Sequence, residues 1–126
     1  MFKAQWYAVG LGIALLIPAN IARAQEHKQF DEHDRQVAND WYNQHKSNPP
    51  AGLRSKDRLS AELDSRIKPG ETLDKNMRKK AYAAPRDLRR KLPVAPAHHE
   101  YQMIGGHLVL VDTSDHRIRD VIHLRQ

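Results

Sequence analysis

Eight histidines stand in a chain of 126 residues without a cysteine, so metal chemistry here must run through imidazole nitrogen and carboxylate oxygen. Neutral imidazole is the commonest side-chain ligand for nickel, cobalt and copper. Spacing narrows the field. His27 shares a helix face with Asp31, four residues on, whereas His33, six residues on, points about 120° away. Near the C-terminus an alternating pattern sets His107 opposite His123 on adjacent strands, with Cβ atoms about 4.5–5.5 Å apart. That separation suits one ion held between two rings. His98 and His99 stand in the linker before the first of these strands, where either supplies a third ligand. The candidate metal ligands are therefore His107, His123, His98 and His99, for nickel, cobalt or copper. The plain alternative is a set of solvent-facing histidines, since no His-x-x-x-His or cysteine motif is present. His99-Glu100 does not open a zincin motif, because Met103 stands where the second histidine belongs and the run reads as strand.

The second candidate is a run of bases: Lys75, Arg78, Lys79, Lys80, Arg86, Arg89, Arg90 and Lys91, with Asp87 the one acid inside it. On short amphipathic helices, Lys79, Lys80, Arg86, Arg89, Arg90 and Lys91 suit contact with anionic lipid headgroups, lipopolysaccharide or an acidic domain of a membrane protein. The plainer reading is a solvated face whose long stems cover apolar surface. Asp120 is the third case. Alternation puts its carboxylate on an apolar face, where an ion is costly unless hydrogen-bonded, so a structural role is expected: accepting from a backbone N–H or from the Arg89-Arg90-Lys91 group and locking helix to hairpin. No nucleophile elbow, phosphate-cradling glycine loop or paired-carboxylate cleft is present. Ser65-Arg66-Ile67-Lys68 fits the Ser-x-x-Lys pattern of penicillin-binding enzymes only by coincidence, because so short a chain lacks the rest of such a site. A non-enzymatic protein is expected.

These residues need elements to position them. Residues 1–24 read as a secretory signal: Lys3, an apolar stretch from Trp6 to Ile17, then Ala22-Arg23-Ala24 as the cleavage site. The stretch falls short of the roughly 20 apolar residues that span a bilayer. Cleavage after Ala24 would lower the net charge from +6 to +4 and place the protein in the periplasm, away from nucleic acid despite a pI of about 9.8. Residues 25–48 predict an amphipathic helix, with Phe30, Val37, Ala38 and Trp41 on one face, acids early, and Pro49-Pro50 as the stop. Residues 49–97 carry apolar pairs four apart (Leu59 with Leu63 and Ile67, Leu73 with Met77, Leu88 with Leu92) on helices too short to stand alone. Residues 98–126 predict a three-stranded antiparallel meander, with strands at 100–104, 107–112 and 118–124 and a tight turn at Gly105-Gly106, where both positions take positive φ freely. Pairing Ile104 with His107 and Asp112 with Ile118 puts Tyr101, Met103, Leu108, Leu110, Ile118, Ile122 and Leu124 on one apolar face and leaves the other mixed. The expected class is α+β, with the helices docked on the apolar face.

The order of parts carries a family resemblance. The Phe30-Asp31-Glu32-His33-Asp34-Arg35-Gln36-Val37 helix with Trp41-Tyr42, Pro49-Pro50-Ala51-Gly52-Leu53, Pro69-Gly70 and Lys91-Leu92-Pro93 precede the run from Glu100 to Asp112 and the closing Ile118-Arg119-Asp120-Val121-Ile122. This chain resembles the RcnB family of small periplasmic proteins, which also holds CigR-like anti-virulence regulators. The likeness is strong over 91–124 and loose in the linker, where Ser60-Ala61-Glu62-Leu63 and Thr72-Leu73 stand in place of fuller proline-glycine-leucine repeats. The resemblance implies a periplasmic protein without catalysis, acting in nickel and cobalt homeostasis beside an inner-membrane efflux protein. Its CigR-like branch implies instead a regulatory module that meets the membrane or a secretion-system component. It implies no metal ligands.

Overall fold

A computed structural model describes residues 30–124; the signal expected at 1–24 and the start of the helix expected at 25–48 lie outside the described residues. Helix α1 (Glu32–Gln44) starts where the sequence supplies a reciprocal cap: Asp31 accepts from the Asp34 N–H at 2.8 Å, and Asp34 accepts from the Asp31 N–H at 3.1 Å. Its buried face is Asp34, Ala38 and Trp41, at helical spacing. It ends at Gln44, short of the expected stop, with His45 as its C-cap.

The chain from 45 to 97 is ordered into a wrap of single turns: a 3-10 turn at Ser55–Asp57, then α2 (Ala61–Asp64), α3 (Lys75–Arg78) and α4 (Arg86–Arg89). Ser60 and Asp74 cap α2 and α3 by accepting from the Leu63 and Met77 N–H groups at 3.4 and 2.9 Å. Turns this short have no stability of their own; each is held by apolar side chains driven into a core. Leu59, Ile67, Leu73, Met77, Leu88 and Leu92 are all buried, and Leu63 packs partly against them.

Those segments close on an antiparallel sheet with strand order β1-β2-β3-β4, where β1 is Tyr82–Ala83, β2 His99–Ile104, β3 His107–Asp112 and β4 Arg117–His123. The sheet therefore has four strands where the sequence predicts three. Two residues carry no alternation to read, and β1 exists because Tyr82 and Ala83 find Met103 and Gln102 as partners. Between β2 and β3 the register is the expected one, from Ile104 opposite His107 to Tyr101 opposite Leu110. Gly105 and Gly106 take φ of 60° and 91°, the two positive values of a type I′ turn.

A second correction concerns β4. His107–His123, Leu108–Ile122 and Leu110–Asp120 pair as predicted, but the next pair is Val111–Ile118, which leaves Arg119 as a bulge. One extra residue turns Ile118 to the opposite face. The sheet therefore has two apolar faces rather than one. Tyr101, Met103, Leu108, Leu110, Ile122 and Leu124 pack with Phe30, Ala38, Trp41, Leu53, Leu88 and Leu92. Ile104, Val109, Val111, Ile118 and Val121 pack with Leu59, Ile67, Leu73 and Met77. β3 is buried along its whole length, as a central strand between two layers must be.

Candidate functional site

The register between β3 and β4 fixes where the histidines meet. His107 follows the Gly105-Gly106 turn, and its cross-strand partner on β4 is His123. Their Nδ1 atoms lie 2.8 Å apart, with the rings edge-on at 84° and centroids 4.7 Å apart. On the far side of the buried His107 ring, Nε2 lies 2.6 Å from Asp64 Oδ1 at the end of α2. The hydrogen-bond network assigns the protons. With His107 in its neutral form, its Nε2–H donates to the carboxylate, its Nδ1 accepts, and His123 Nδ1–H donates to it. Burial pushes the His123 imidazolium below its ordinary range, as do His107 and Arg35, against an opposing pull from Asp64.

His98 and His99 do not join this pair. His99 pairs with Asp112 at the other end of β3, five residues and about 16 Å from His107 at strand rise. Its ring is already engaged: Nδ1 meets the Ala97 carbonyl at 2.8 Å, and Nε2 accepts from Arg119 Nε–H at 3.3 Å. His98 sits at φ 62°, where its carbonyl accepts from the Thr113 N–H and hydroxyl at 2.7 and 3.0 Å. Among the described residues, no group of three histidines, cysteines or carboxylates could hold an ion.

Asp120 has the structural role expected, with a different cation. It accepts from the Phe30 N–H at 2.7 Å and the Val121 N–H at 2.8 Å, and its charged neighbour is Arg35 of α1 at 3.6 Å, not the Arg89-Arg90-Lys91 group. It ties the entry of α1 to β4, which leaves those three bases exposed with Arg86. The acid inside the basic run, Asp87, is turned the other way and accepts from Trp41 Nε1–H at 2.9 Å, which holds its carboxyl below the usual range.

The basic run is not one surface. Lys79 and Lys80 leave α3 beside Lys56 of the 3-10 turn and Arg58 just after it, around a depression of about 260 Å³ that also takes in Asp57 and Tyr82. Lys91 instead borders a shallow groove with Val37, Asp40, Trp41 and Gln44 of α1. Sequence reasoning misses Lys56, Arg58 and Asp64, because each reaches its neighbours across more than twenty residues of irregular wrap with no local pattern to mark the approach.

No protein-family model matches the chain, and no curated protein matches it. Among solved structures it is similar to the C-terminal domain of inner membrane protein CigR from Salmonella enterica, at 18% identity and a TM-score of 0.53, over 86% of this chain and 90% of that one. The two share a fold. Of the expected resemblance, the CigR-like part is supported at the level of the fold, and the RcnB family is not shown by these comparisons. No described helix is long and apolar enough to cross a membrane.

Proposed function

We propose that this chain is a non-catalytic interaction module of the cell envelope, exported to the periplasm by its first 24 residues, that binds an anionic membrane surface or an acidic secretion-system component. The observation that carries the reading is the fold shared with the C-terminal domain of an inner membrane protein. The bases at 86 and 89–91 support it, because each is exposed and the ion pairs of the described residues draw on other groups, Arg35, Arg66, Arg117 and Arg119 with His45 and His107. Flotation with vesicles containing anionic lipid tests it. Binding that weakens with salt and disappears on reversing Arg89, Arg90 and Lys91 to glutamate supports the reading; binding indifferent to both sinks it.

A second reading, an accessory role in nickel or cobalt homeostasis beside an inner-membrane efflux protein, is favoured by the paired imidazoles. Two nitrogens bound at right angles to one ion at about 2.0–2.1 Å would stand about 2.9 Å apart, close to the 2.8 Å between the Nδ1 atoms. Asp64 behind His107 holds the position of the outer carboxylate that orients a histidine ligand. The donors fit half of a ligand set, the rest coming from water or a partner. Calorimetry with nickel, cobalt and copper is the test: heats that vanish in His107→Ala and His123→Ala support it, and heats indifferent to both remove it.

A further inference from the structure

We infer that the depression between the 3-10 turn and the exit of α3 is a binding site for a phosphate group, held by Lys56, Arg58, Lys79 and Lys80 with Tyr82 on its rim. Four cations from two segments surround about 260 Å³, below the roughly 300–1,000 Å³ of pockets that enclose drug-sized ligands and of a size for a small headgroup. The one acid there is already in use, since Asp57 Oδ2 accepts from the Gly52 and Arg54 N–H groups at 2.9 and 3.3 Å. No carboxylate of the described residues pairs with any of the four bases; the ion pairs lie elsewhere.

The backbone that carries the cations is ordered in advance. The backbone N–H of Arg58 donates to Ser55 at 3.2 Å and that of Lys80 to Met77 at 3.0 Å. The adjoining Leu59 and fully buried Met77 belong to one apolar cluster. Like charges gathered on neighbouring segments repel unless an anion lies between them, and backbone order settled beforehand lowers the entropy cost of binding one. Tyr82, 43% exposed on the sheet edge, adds an amphipathic ring beside the charge, a residue type favoured where a protein meets a headgroup layer. The inference deepens the envelope reading and rests on it for the source of the phosphate, a lipid headgroup rather than a free anion.

The test is an amide NMR titration of the purified ¹⁵N-labelled protein with inorganic pyrophosphate, and separately with phosphatidylcholine vesicles carrying phosphatidic acid. The expected result is a saturable shift of the amides at 56–58 and 79–82, weakened about ten-fold or more in K56A/K79A. The control K46A/K68A, which removes the same charge from other exposed positions, should stay near wild type, and unchanged β2–β4 amides show that each variant folds. Saturation by pyrophosphate alone supports the site with a soluble phosphate as its ligand; saturation by vesicles alone supports it with a headgroup. Absence of saturation with both probes, or equal weakening in the two variants, overturns the site. Vesicle flotation that depends on Arg89, Arg90 and Lys91 while neither titration saturates the amides at 56–58 and 79–82 would overturn the site and leave the envelope reading standing.

Discussion

The two ends of β3 are built from the same residue types and behave differently. At the Asp112 end, the carboxylate accepts from Ser114 N–H and Oγ–H and from Arg119 at 2.9 Å, while His99 is held between Ala97 and the same Arg119. Every proton there has one place to be. At the His107 end, two imidazoles face each other through one ring-to-ring hydrogen bond between their Nδ1 atoms, and the carboxylate sits behind one of them. A histidine beside an acid is thus a brace when an arginine closes the network and one half of a ring-to-ring hydrogen bond when a second histidine does. What decides is the register between β3 and β4, since the bulge at Arg119 carries its guanidinium to one end and the pairing of His107 with His123 brings the rings together at the other.

The contrast can be broken most severely through Gly52. Its carbonyl accepts from the Gly106 N–H at 2.8 Å, its φ is 94°, and a Cβ there would lie 2.6 Å from Met103 Cβ. Gly52→Ala is expected to cost about 3 kcal/mol or more, from a left-handed backbone and overpacking against β2, with the histidine end of β3 distorted first; denaturant unfolding and the His107 ring resonances measure both. At the braced end, Asp112→Ala removes a buried acceptor of a charge-assisted bond and should cost about 2 kcal/mol. The hydrogen bonds from Ser114 and then Arg119 hold that carboxyl well below its ordinary 3.8. The stability it supplies is present above that value and is lost as pH falls below it. The acid limb of a Tm-against-pH curve should therefore flatten in the variant.

Tyr101 supplies an alkaline counterpart. Burial pushes its hydroxyl from 10.0 to about 12, and it donates to the Pro93 carbonyl at 2.7 Å. A raised value means stability that is whole below pH 10 and lost as pH climbs toward about 12. Tyr101→Phe should remove that loss while costing about 1 kcal/mol at neutral pH. The smallest effect belongs to His123. Its lowered value means the folded chain holds fewer protons than the unfolded one below 6.5, so its contribution is full above 6.5 and fades as pH falls through the folded value. Replacing it with glutamine should flatten that slope in a thermal-melt series, and a slope unchanged by the substitution would count against the pairing with His107.

Much of this was legible in the residues, and the parts that were not have physical reasons. Alternation and the Gly105-Gly106 turn encode the β2–β3 pairing, because a period of two and a turn with two positive φ values leave one register. The same logic places His107 opposite His123 and Asp120 on a buried face. It breaks at Arg119, since a bulge adds a residue without changing composition, and the error carries Ile118 to the wrong side and hides the second core. The wrap from 45 to 97 shows its buried leucines by spacing alone. Where those single turns lie depends on the sheet that receives them, so contacts such as Asp64 to His107 have no local signature.

The central claim, that the hairpin register builds a shared-proton pair at one end of β3, is tested most directly by scalar coupling between ring nitrogens in ¹⁵N-histidine-labelled protein above pH 7. The account predicts a measurable ¹⁵N–¹⁵N coupling between His107 Nδ1 and His123 Nδ1, with His107 protonated at Nε2 toward Asp64. Two rings both protonated at Nε2, with no coupling between their Nδ1 atoms, would contradict it.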